Sequence, residues 1–248
     1  MAWQNKTGVA EPPQFYGQDL TDKKDIGMIN YEYINDYIRA TIKPNSGLLA
    51  ELEEYAAENH VPIIQPEVAA MMKVLGNMNR PGRILEVGTA IGYSSILFSG
   101  FLKPGGIIDT IERNDLMIEL ARKNIKSAGL QDTINVIAGD AMEVLGCLDK
   151  QYDMIFLDAA KGQYSEFLEQ SKRMLVPGGL LVSDNVLYKG MIATDELVLR
   201  RKKTIVTRMR SFLKKLCLDE SFETGIIPIG DGVALSYKKN MEQISEEA

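Results

Sequence analysis

The sequence is poor in the residues on which several classes of protein depend. Among its 248 residues there are two cysteines, Cys147 and Cys217, and one histidine, His60. Two distant cysteines exclude a disulfide framework and predict free thiols. A histidine without Cys or His neighbours cannot build a zinc site, so we interpret His60 as structural or solvent-exposed. No apolar run approaches the roughly 20 residues that span a bilayer, and no secretory signal is evident. We therefore expect a cytoplasmic protein without a membrane partner.

The charge is acidic overall but unevenly distributed. The chain carries a net charge of -6, which argues against a uniformly basic nucleic-acid-binding protein. Between Lys189 and Lys215, however, nine basic and two acidic residues give +7 and leave the remainder at -13. Such a run is usually the solvated face of a helix. It is also compatible with a local patch that binds a polyanion, and charge alone leaves both interpretations open.

The pattern of apolar residues predicts one α/β domain. Helix-like segments come first, and from Arg83 onward short apolar segments alternate with further helices, which is typical of a mostly parallel sheet covered on both faces. Two last strands are separated by Gly230-Asp231-Gly232, which predicts an antiparallel hairpin. We also expect Pro177-Gly178-Gly179 to end a helix, and a basic helix over about 196 to 217. The predicted strands cover 83–88, 107–112, 134–139, 152–158, 179–185, 222–229 and 233–239. Residues 1–27 are predicted to be a loosely ordered extension, 28–240 the domain, and 241–248 a tail.

Three consecutive strand ends carry side chains suited to an adenosine ligand. Gly88 and Gly92, after the first strand, permit a tight turn and a close backbone approach. Glu112 ends the second strand and suits a ribose diol, whereas Asp140, with Ala141, follows the third and suits an adenine amine. Each acid alone is equally compatible with a surface position. The glycine spacing lacks the Gly-x-Gly-x-x-Gly pattern of dinucleotide sites, so an adenosine ligand without a diphosphate is favoured over a nicotinamide dinucleotide.

Oxygen ligands follow the next two strands. Asp158 ends the fourth strand, and Asp184 with Asn185 ends the fifth, so the three side chains should converge. Oxygen donors without sulfur or imidazole predict a hard ion such as Mg²⁺. The alternative is that these residues only cap turns or helices. Lys161 is either a surface lysine or, with its pKa depressed by a nearby cation, a general base.

The motifs EVGTAIGYSS, TIERN, GDA, FLDAAKGQY, SDNVLYKG and PIGDGVALSYK resemble those of the cation-dependent O-methyltransferase family, which includes catechol and caffeoyl-CoA methyltransferases. The resemblance covers roughly residues 30 to 240. It implies a Rossmann-like class I methyltransferase fold, with a mostly parallel seven-stranded sheet and a C-terminal antiparallel hairpin. It also implies S-adenosyl-L-methionine, Mg²⁺ or Mn²⁺, and a homodimer. The residues it implies as cofactor contacts are Ile64, Glu86, Gly88, Ser94, Glu112, Arg113, Asp140, Ala141 and Asp158; as metal ligands Asp158, Asp184 and Asn185; and as catalytic residues Lys161 and Asp158.

Within the family, the sequence is most similar to the members that methylate 5-hydroxyuridine at the wobble position of tRNA. The shared features include INDYI, ENHVPI, DNVLYKG and the basic RRKK run. This resemblance implies that a tRNA anticodon loop is the partner and that Lys189, Arg200, Arg201, Lys202 and Lys203 contact its phosphates. Tyr164 and Tyr188 flank the predicted site and either stack on the base or belong to the core. Two alternatives remain. The first is an enzyme for small-molecule hydroxyl substrates such as catechols or hydroxycinnamoyl-CoA thioesters, in which the basic run is a solvated face or a CoA-phosphate site. The second is a catalytically silent adenosyl-binding module.

Overall fold

The computed structural model describes residues 29–158 and 163–240. The predicted extension 1–27, the predicted tail 241–248 and Lys161 lie outside the described residues. Within the described ranges, no helix has both the length and the apolar character needed to cross a membrane.

A seven-stranded sheet forms the centre of the described chain. Its strand order is β3-β2-β1-β4-β5-β7-β6, in which β1 to β5 are parallel and β7 runs antiparallel between β5 and β6. This arrangement confirms the predicted fold class and the C-terminal hairpin. The strands are β1 Arg83–Val87, β2 Ile107–Glu112, β3 Ile134–Ala138, β4 Tyr152–Leu157, β5 Leu175–Ser183, β6 Phe222–Ile227 and β7 Val233–Lys238. The helices are α1 Glu32–Thr41, α2 Leu48–Glu58, α3 Pro66–Asn79, α4 Tyr93–Ser99, α5 Asp115–Ser127, α6 Ala141–Cys147, α7 Tyr164–Met174 and α8 Lys203–Cys217.

Each face of the sheet is covered by helices. Successive side chains of a strand point to opposite faces, so Ile84 and Leu85 of β1 belong to two different core clusters, and both are fully buried. Helices α2 to α5 cover the first face, and α6 to α8 cover the second. Burial on both faces explains why the central strands are apolar throughout instead of alternating with polar residues.

Strand β5 and helix α8 differ from the sequence-based expectations. We expected a helix to end at Pro177-Gly178-Gly179, but α7 already ends at Met174 and these residues lie within β5. The pairing with β4 shifts there, from Tyr152 opposite Leu175 to Met154 opposite Leu180, so the Pro-Gly-Gly segment bulges out of the ladder.

Helix α8 was expected to begin near residue 196, but it begins at Lys203, after a short 3-10 helix over Arg200–Lys202. The backbone is extended at Leu199, with a ψ of 135°, which separates the preceding residues from the helix, and Arg210 of α8 binds the segment before them. Its guanidinium donates to the carbonyls of Met191 and Ile192 and pairs with Asp195. These bonds hold the 191–195 segment against α8 as a separate loop.

A charged cluster surrounds Asp109 in the middle of β2. The carboxylate is 1% exposed and accepts hydrogen bonds from Lys150, Tyr152 and Asn135 at 2.9 to 3.2 Å, with Arg83 at 3.5 Å. Burial alone would raise the pKa of Asp109, but these donors outweigh that effect and hold the pKa below its ordinary value. The ionised carboxylate therefore stabilises the folded state.

Replacing Asp109 with alanine is expected to lower the free energy of unfolding at pH 7 by about 3 kcal/mol, because it leaves two cations and a buried phenol without their acceptor. Since the folded pKa is depressed, the contribution of Asp109 is present above pH 4 or so and is lost as the pH falls through the folded pKa. Urea denaturation between pH 3 and pH 7 measures both effects. The exposed Asp132→Ala variant should stay within about 0.5 kcal/mol of the wild type, and an equal loss in both variants would contradict the interpretation.

Candidate cofactor and metal site

A cavity of about 700 Å³ opens at the carboxyl ends of the parallel strands. It lies beside β1, which has β2 on one side and β4 on the other, where the strand order reverses. Ligands of doubly wound sheets bind at this topological position. The predicted site residues that line this strand-end cavity are Gly88, Glu112, Arg113, Asp140, Ala141, Asp158 and Asn185.

The loop after β1 has a backbone that lies close to the floor of the cavity. Gly88, Ala90 and Gly92 have φ angles of +105°, +45° and +82°. A Cβ atom on Gly92 would lie 3.4 Å from the Cα atom of Ala121 in α5. Such a contact is of ordinary van der Waals length, so it is the left-handed backbone that favours glycine at this position.

Glu112 is held in one orientation by backbone donors. Its Oε1 accepts from the N–H groups of Arg113 and Asn114 at 2.9 and 3.0 Å, and its Oε2 accepts from the N–H of Ala90 at 3.0 Å. The carboxylate is half-buried and lines the cavity. A carboxylate fixed in this way is preorganised to accept the two hydroxyls of a ribose diol.

Asp140 has a structural role in addition to its position in the cavity wall. Its Oδ1 accepts from the N–H of Met142 at 2.9 Å and caps α6, which begins at Ala141. Its Oδ2 lies 3.9 Å from Nη1 of Arg113, which is mostly exposed. The cap and the cavity wall therefore use the same side chain, and the cap alone would account for an aspartate here.

Three of the predicted cofactor contacts lie beneath the cavity surface. Ile64 is buried in the core, and its neighbours Ile63 and Gln65 line the cavity instead. Ser94 and Glu86 are 8% and 0% exposed, in α4 and β1. The Glu86 carboxylate accepts from the hydroxyls of Ser95 and Thr110. Burial raises the pKa of Glu86 to about 7, although these hydroxyl donors partly offset the effect.

The raised pKa of Glu86 predicts a pH-dependent stability of the protein in the absence of cofactor and metal. Between the ordinary pKa of 4.5 and about 7, the folded state keeps a proton that the unfolded state has lost. The free energy of unfolding should therefore fall as the pH rises through this range, by an amount on the order of 3 kcal/mol. Glu86→Gln should flatten this slope in urea denaturation at pH 4.5 to 8. An unchanged slope in the variant would show that another group is responsible.

The predicted metal ligands lie at the tips of two neighbouring strands. The backbone N–H of Asp158 donates to the carbonyl of Val87 at 3.0 Å, and the N–H of Asp184 donates to the carbonyl of Leu157 at 2.9 Å. Asp184 is 1% exposed, and its Oδ1 accepts from the N–H of Asn185 at 2.6 Å. Asp158 and Asn185 line the same cavity. Asn185 has a left-handed φ of +56°, a conformation that Asn tolerates better than most non-glycine residues.

The donor chemistry of this strand-end group fits a hard divalent cation. Two carboxylates and one amide provide oxygen donors, and within the two described ranges no cluster of three or more His, Cys, Asp or Glu residues offers a different kind of metal site. The set leaves positions for water or substrate oxygens, which Mg²⁺ usually keeps. The residues present therefore fit the ion that the family resemblance implies.

The buried side chain of Tyr164 contacts the backbone at both of these strand ends. It is 1% exposed, and its hydroxyl lies 3.2 Å from the carbonyl oxygen of Leu157 and 3.1 Å from that of Asp184. The two carbonyls belong to the ends of β4 and β5. Of the two interpretations of Tyr164, the structure thus supports the core residue and not a surface for stacking a base.

The α2–α3 loop supplies a wall of the cavity, although Ile64 is the only one of its residues that the family resemblance implied as a cofactor contact. His60 is exposed, has a φ of +54°, and lines the cavity together with Val61, Pro62 and Ile63. The sequence predicted that His60 is structural or solvent-exposed, and the residue is exposed at the cavity. Apolar loop residues carry no chemical signal of a ligand, so only the family motif ENHVPI pointed to this segment.

The predicted RNA-binding residues are Lys189 and Arg200 to Lys203, here called the basic segment, and one of them contacts the loop that follows Asn185. Lys189, Arg200, Arg201 and Lys203 are exposed. Lys202 is half-buried, and its Nζ lies 5.6 Å from the ring centroid of Tyr188. Tyr188 follows Asn185 by three residues, so the basic segment folds back towards the predicted metal ligands.

Comparisons with known proteins agree with the fold. Residues 39–239 match the family model of the O-methyltransferases. A caffeoyl-CoA O-methyltransferase of Populus kitakamiensis is 31% identical over 225 residues, which cover 84% of this chain and 94% of that protein. A crystal structure from Staphylococcus aureus, provisionally described as a caffeoyl-CoA O-methyltransferase, is 34% identical, has a TM-score of 0.78, and covers 84% of this chain and 100% of its own. An O-methyltransferase from Bacillus cereus, solved in complex with S-adenosylhomocysteine, shares the fold with a TM-score of 0.74 and 24% identity, over 83% of this chain and 97% of its own.

The fold and the strand-end site define a Rossmann-like methyltransferase. The match of the family model over most of the chain is more specific: this chain belongs to the O-methyltransferase family. It is an enzyme of that class, with relatives of the caffeoyl-CoA type.

Proposed function

We propose that this enzyme transfers the methyl group of S-adenosylmethionine, with the help of Mg²⁺, to the 5-hydroxyl of 5-hydroxyuridine at the tRNA wobble position, which yields 5-methoxyuridine. The observation that carries the tRNA substrate is the contact of Lys202, in the basic segment, with Tyr188, which follows the predicted metal ligand Asn185 by three residues. Phosphate contacts position a nucleic acid without selecting its sequence, and the four exposed cationic side chains of the basic segment suit that purpose.

The chain's own residues account for binding and orientation. Gly88 lets the backbone approach the methionine part, Glu112 accepts the ribose hydroxyls, and Asp140 lies where it can accept the adenine amine. Asp158, Asp184 and Asn185 would hold the cation, which lowers the pKa of the substrate hydroxyl and fixes its oxygen. The α2–α3 loop excludes water from one side of the cavity.

The substrate chemistry explains why a catechol-type site suits a modified uracil. In 5-hydroxyuracil, the 5-hydroxyl and the 4-carbonyl are vicinal oxygens, and together they chelate one metal as the two hydroxyls of a catechol do. A wobble base in an anticodon loop is unpaired, so it can be extruded into a pocket at low cost. The walls around the metal, and not the metal ligands themselves, therefore select the substrate.

A second candidate is a small-molecule O-methyltransferase for catechols or hydroxycinnamoyl-CoA thioesters. The similarity to the Populus caffeoyl-CoA O-methyltransferase favours it. In that case the basic segment is a solvated face or binds the phosphates of CoA.

The test uses purified protein with S-adenosylmethionine, Mg²⁺ and tRNA that carries 5-hydroxyuridine, followed by mass analysis of the nucleosides. We expect 5-methoxyuridine to appear and to be absent when EDTA is present. A parallel reaction contains catechol and caffeoyl-CoA without tRNA. Methylation of these substrates with no methoxyuridine would refute the tRNA assignment and support the second candidate.

A further inference from the structure

The loop from Asn185 to Lys189 adopts a backbone that its own sequence does not favour. Tyr188 and Lys189 have φ angles of +47° and +55°, and Asn185, a residue type that tolerates this region, has a φ of +56°. Left-handed conformations of residues such as Tyr and Lys cost on the order of 1 kcal/mol each and persist only where surrounding contacts impose them. Something outside the loop must therefore hold it, and with it the predicted metal ligand Asn185.

The turn between β6 and β7, Gly230 to Gly232, makes those contacts. The N–H of Val186 donates to the carbonyl of Gly232 at 2.9 Å, and the N–H of Leu187 donates to the carbonyl of Asp231 at 3.0 Å. The N–H of Lys189 donates to Oδ1 of the Asp231 side chain at 2.5 Å. Three backbone donors of the loop are thus bound by two residues of the turn.

The turn is itself fixed from both sides by close packing. A Cβ atom on Gly232 would lie 2.3 Å from Cγ of Leu187, and one on Gly230 would lie 2.8 Å from Cγ2 of Val68 in α3. Asn30, just before α1, donates to the carbonyl of Pro228 at 2.8 Å. The turn therefore connects the N-terminal helices to the loop that carries Asn185.

We propose that the Asp231 side chain is a positioning residue, which sets the affinity of the metal site by holding the Asn185–Lys189 loop in its left-handed conformation. The inference rests on the proposed function, since it assumes that Asn185 ligates the cation. Asp231 acts here as a hydrogen-bond acceptor for the backbone of Lys189. Because supporting contacts of this kind orient metal ligands, their loss typically weakens metal binding by about 10- to 100-fold.

Direct Mn²⁺ binding to the protein tests this role without measuring activity. Electron paramagnetic resonance counts the free Mn²⁺ during titrations of the wild type, Asp231→Ala and Asp231→Asn. We expect Asp231→Ala to raise the Kd for Mn²⁺ by about tenfold or more, and Asp231→Asn, which keeps an acceptor oxygen, to stay within about threefold. Binding of S-adenosylhomocysteine, measured by calorimetry, should change by less than about twofold in both variants, because its predicted contacts belong to other strand ends. Asp132→Ala is the matched control, since it removes an exposed aspartate at the opposite end of the sheet, before β3.

The outcomes separate the inference from the proposed function. If the wild type takes up no Mn²⁺, the metal-dependent function fails, and the inference fails with it. If the wild type binds Mn²⁺ and Asp231→Ala binds it equally well, only the positioning role is overturned. Equal weakening in Asp231→Ala and Asp231→Asn would show that the charge of Asp231 acts on the cation, which also overturns positioning by a hydrogen bond. Should Asp231→Ala fail to fold, Asp231→Ser is titrated in its place, with the same criteria.

Discussion

Replacement of Asp158 with alanine is expected to lower kcat/KM for methyl transfer by about a thousandfold at saturating Mg²⁺. The backbone N–H of Asp158 donates to the carbonyl of Val87 in β1, and the carbonyl of the preceding Leu157 accepts from the N–H of Asp184. Asp158 therefore lies between the predicted cofactor site and the other two predicted metal ligands, Asp184 and Asn185. Its loss removes a ligand of the cation that activates the substrate hydroxyl. Steady-state kinetics with a catechol and with 5-hydroxyuridine tRNA measure the effect on both candidate substrates.

The control for this variant is an aspartate at the opposite end of the sheet. Asp132 precedes β3 and is exposed, so Asp132→Ala should retain wild-type rates. Thermal denaturation distinguishes a lost ligand from a lost fold. If Asp158→Ala changed only the stability and left the metal-dependent rate intact, a metal ligand at this position would be contradicted. A wild type with no methyl transfer to any substrate would instead favour a silent adenosyl-binding module.

Reversing the charge of Arg200, Arg201 and Lys203 to glutamate is expected to raise the KM for tRNA by about 100-fold. The three side chains are exposed, and each phosphate contact contributes an electrostatic, salt-dependent share of the affinity. The dependence of KM on salt concentration should become shallower in the variant. Methylation of a catechol should continue at the wild-type rate, since these residues lie outside the strand-end cavity.

A triple variant of equal charge change provides the matched control. Lys103, Lys123 and Lys126 are exposed on the side of α4 and α5, away from the basic segment, and their change to glutamate alters the net charge by the same amount. This variant should keep the tRNA KM within about twofold to threefold of the wild type. Equal losses in the two triple variants would show that only the overall charge matters, and no loss in either would favour the small-molecule substrate.

The strand ends were predictable from the sequence because a parallel sheet brings all its carboxyl ends to one edge. The alternation of short apolar segments with helix-like segments was enough to place Glu112 and Asp158 at that edge, and both residues line the cavity. The start of α8 could not be predicted in this way. The backbone is extended at Leu199, and the bonds of Arg210 to the 191–195 segment are made across 15 to 19 residues of sequence, so neither feature shows in the apolar pattern.

Other parts of the site were hidden because they depend on packing and not on residue type. Tyr164 looked equally suited to stacking on a base and to the core, and only its bonds to Leu157 and Asp184 decide between them. The hairpin turn was predicted as a connection, but nothing in Gly-Asp-Gly indicates that it holds the loop after Asn185. Long-range hydrogen bonds of this kind leave no periodic signal in a sequence.

The most direct test of the central claim is a crystal structure with Mn²⁺ and S-adenosylhomocysteine, in which anomalous scattering locates the ion. We expect one strong peak within about 2.3 Å of oxygens from Asp158, Asp184 and Asn185, with the adenosyl sulfur in the same strand-end cavity and the ribose on Glu112. A peak elsewhere, or a cofactor that binds away from the first three strand ends, would contradict the account.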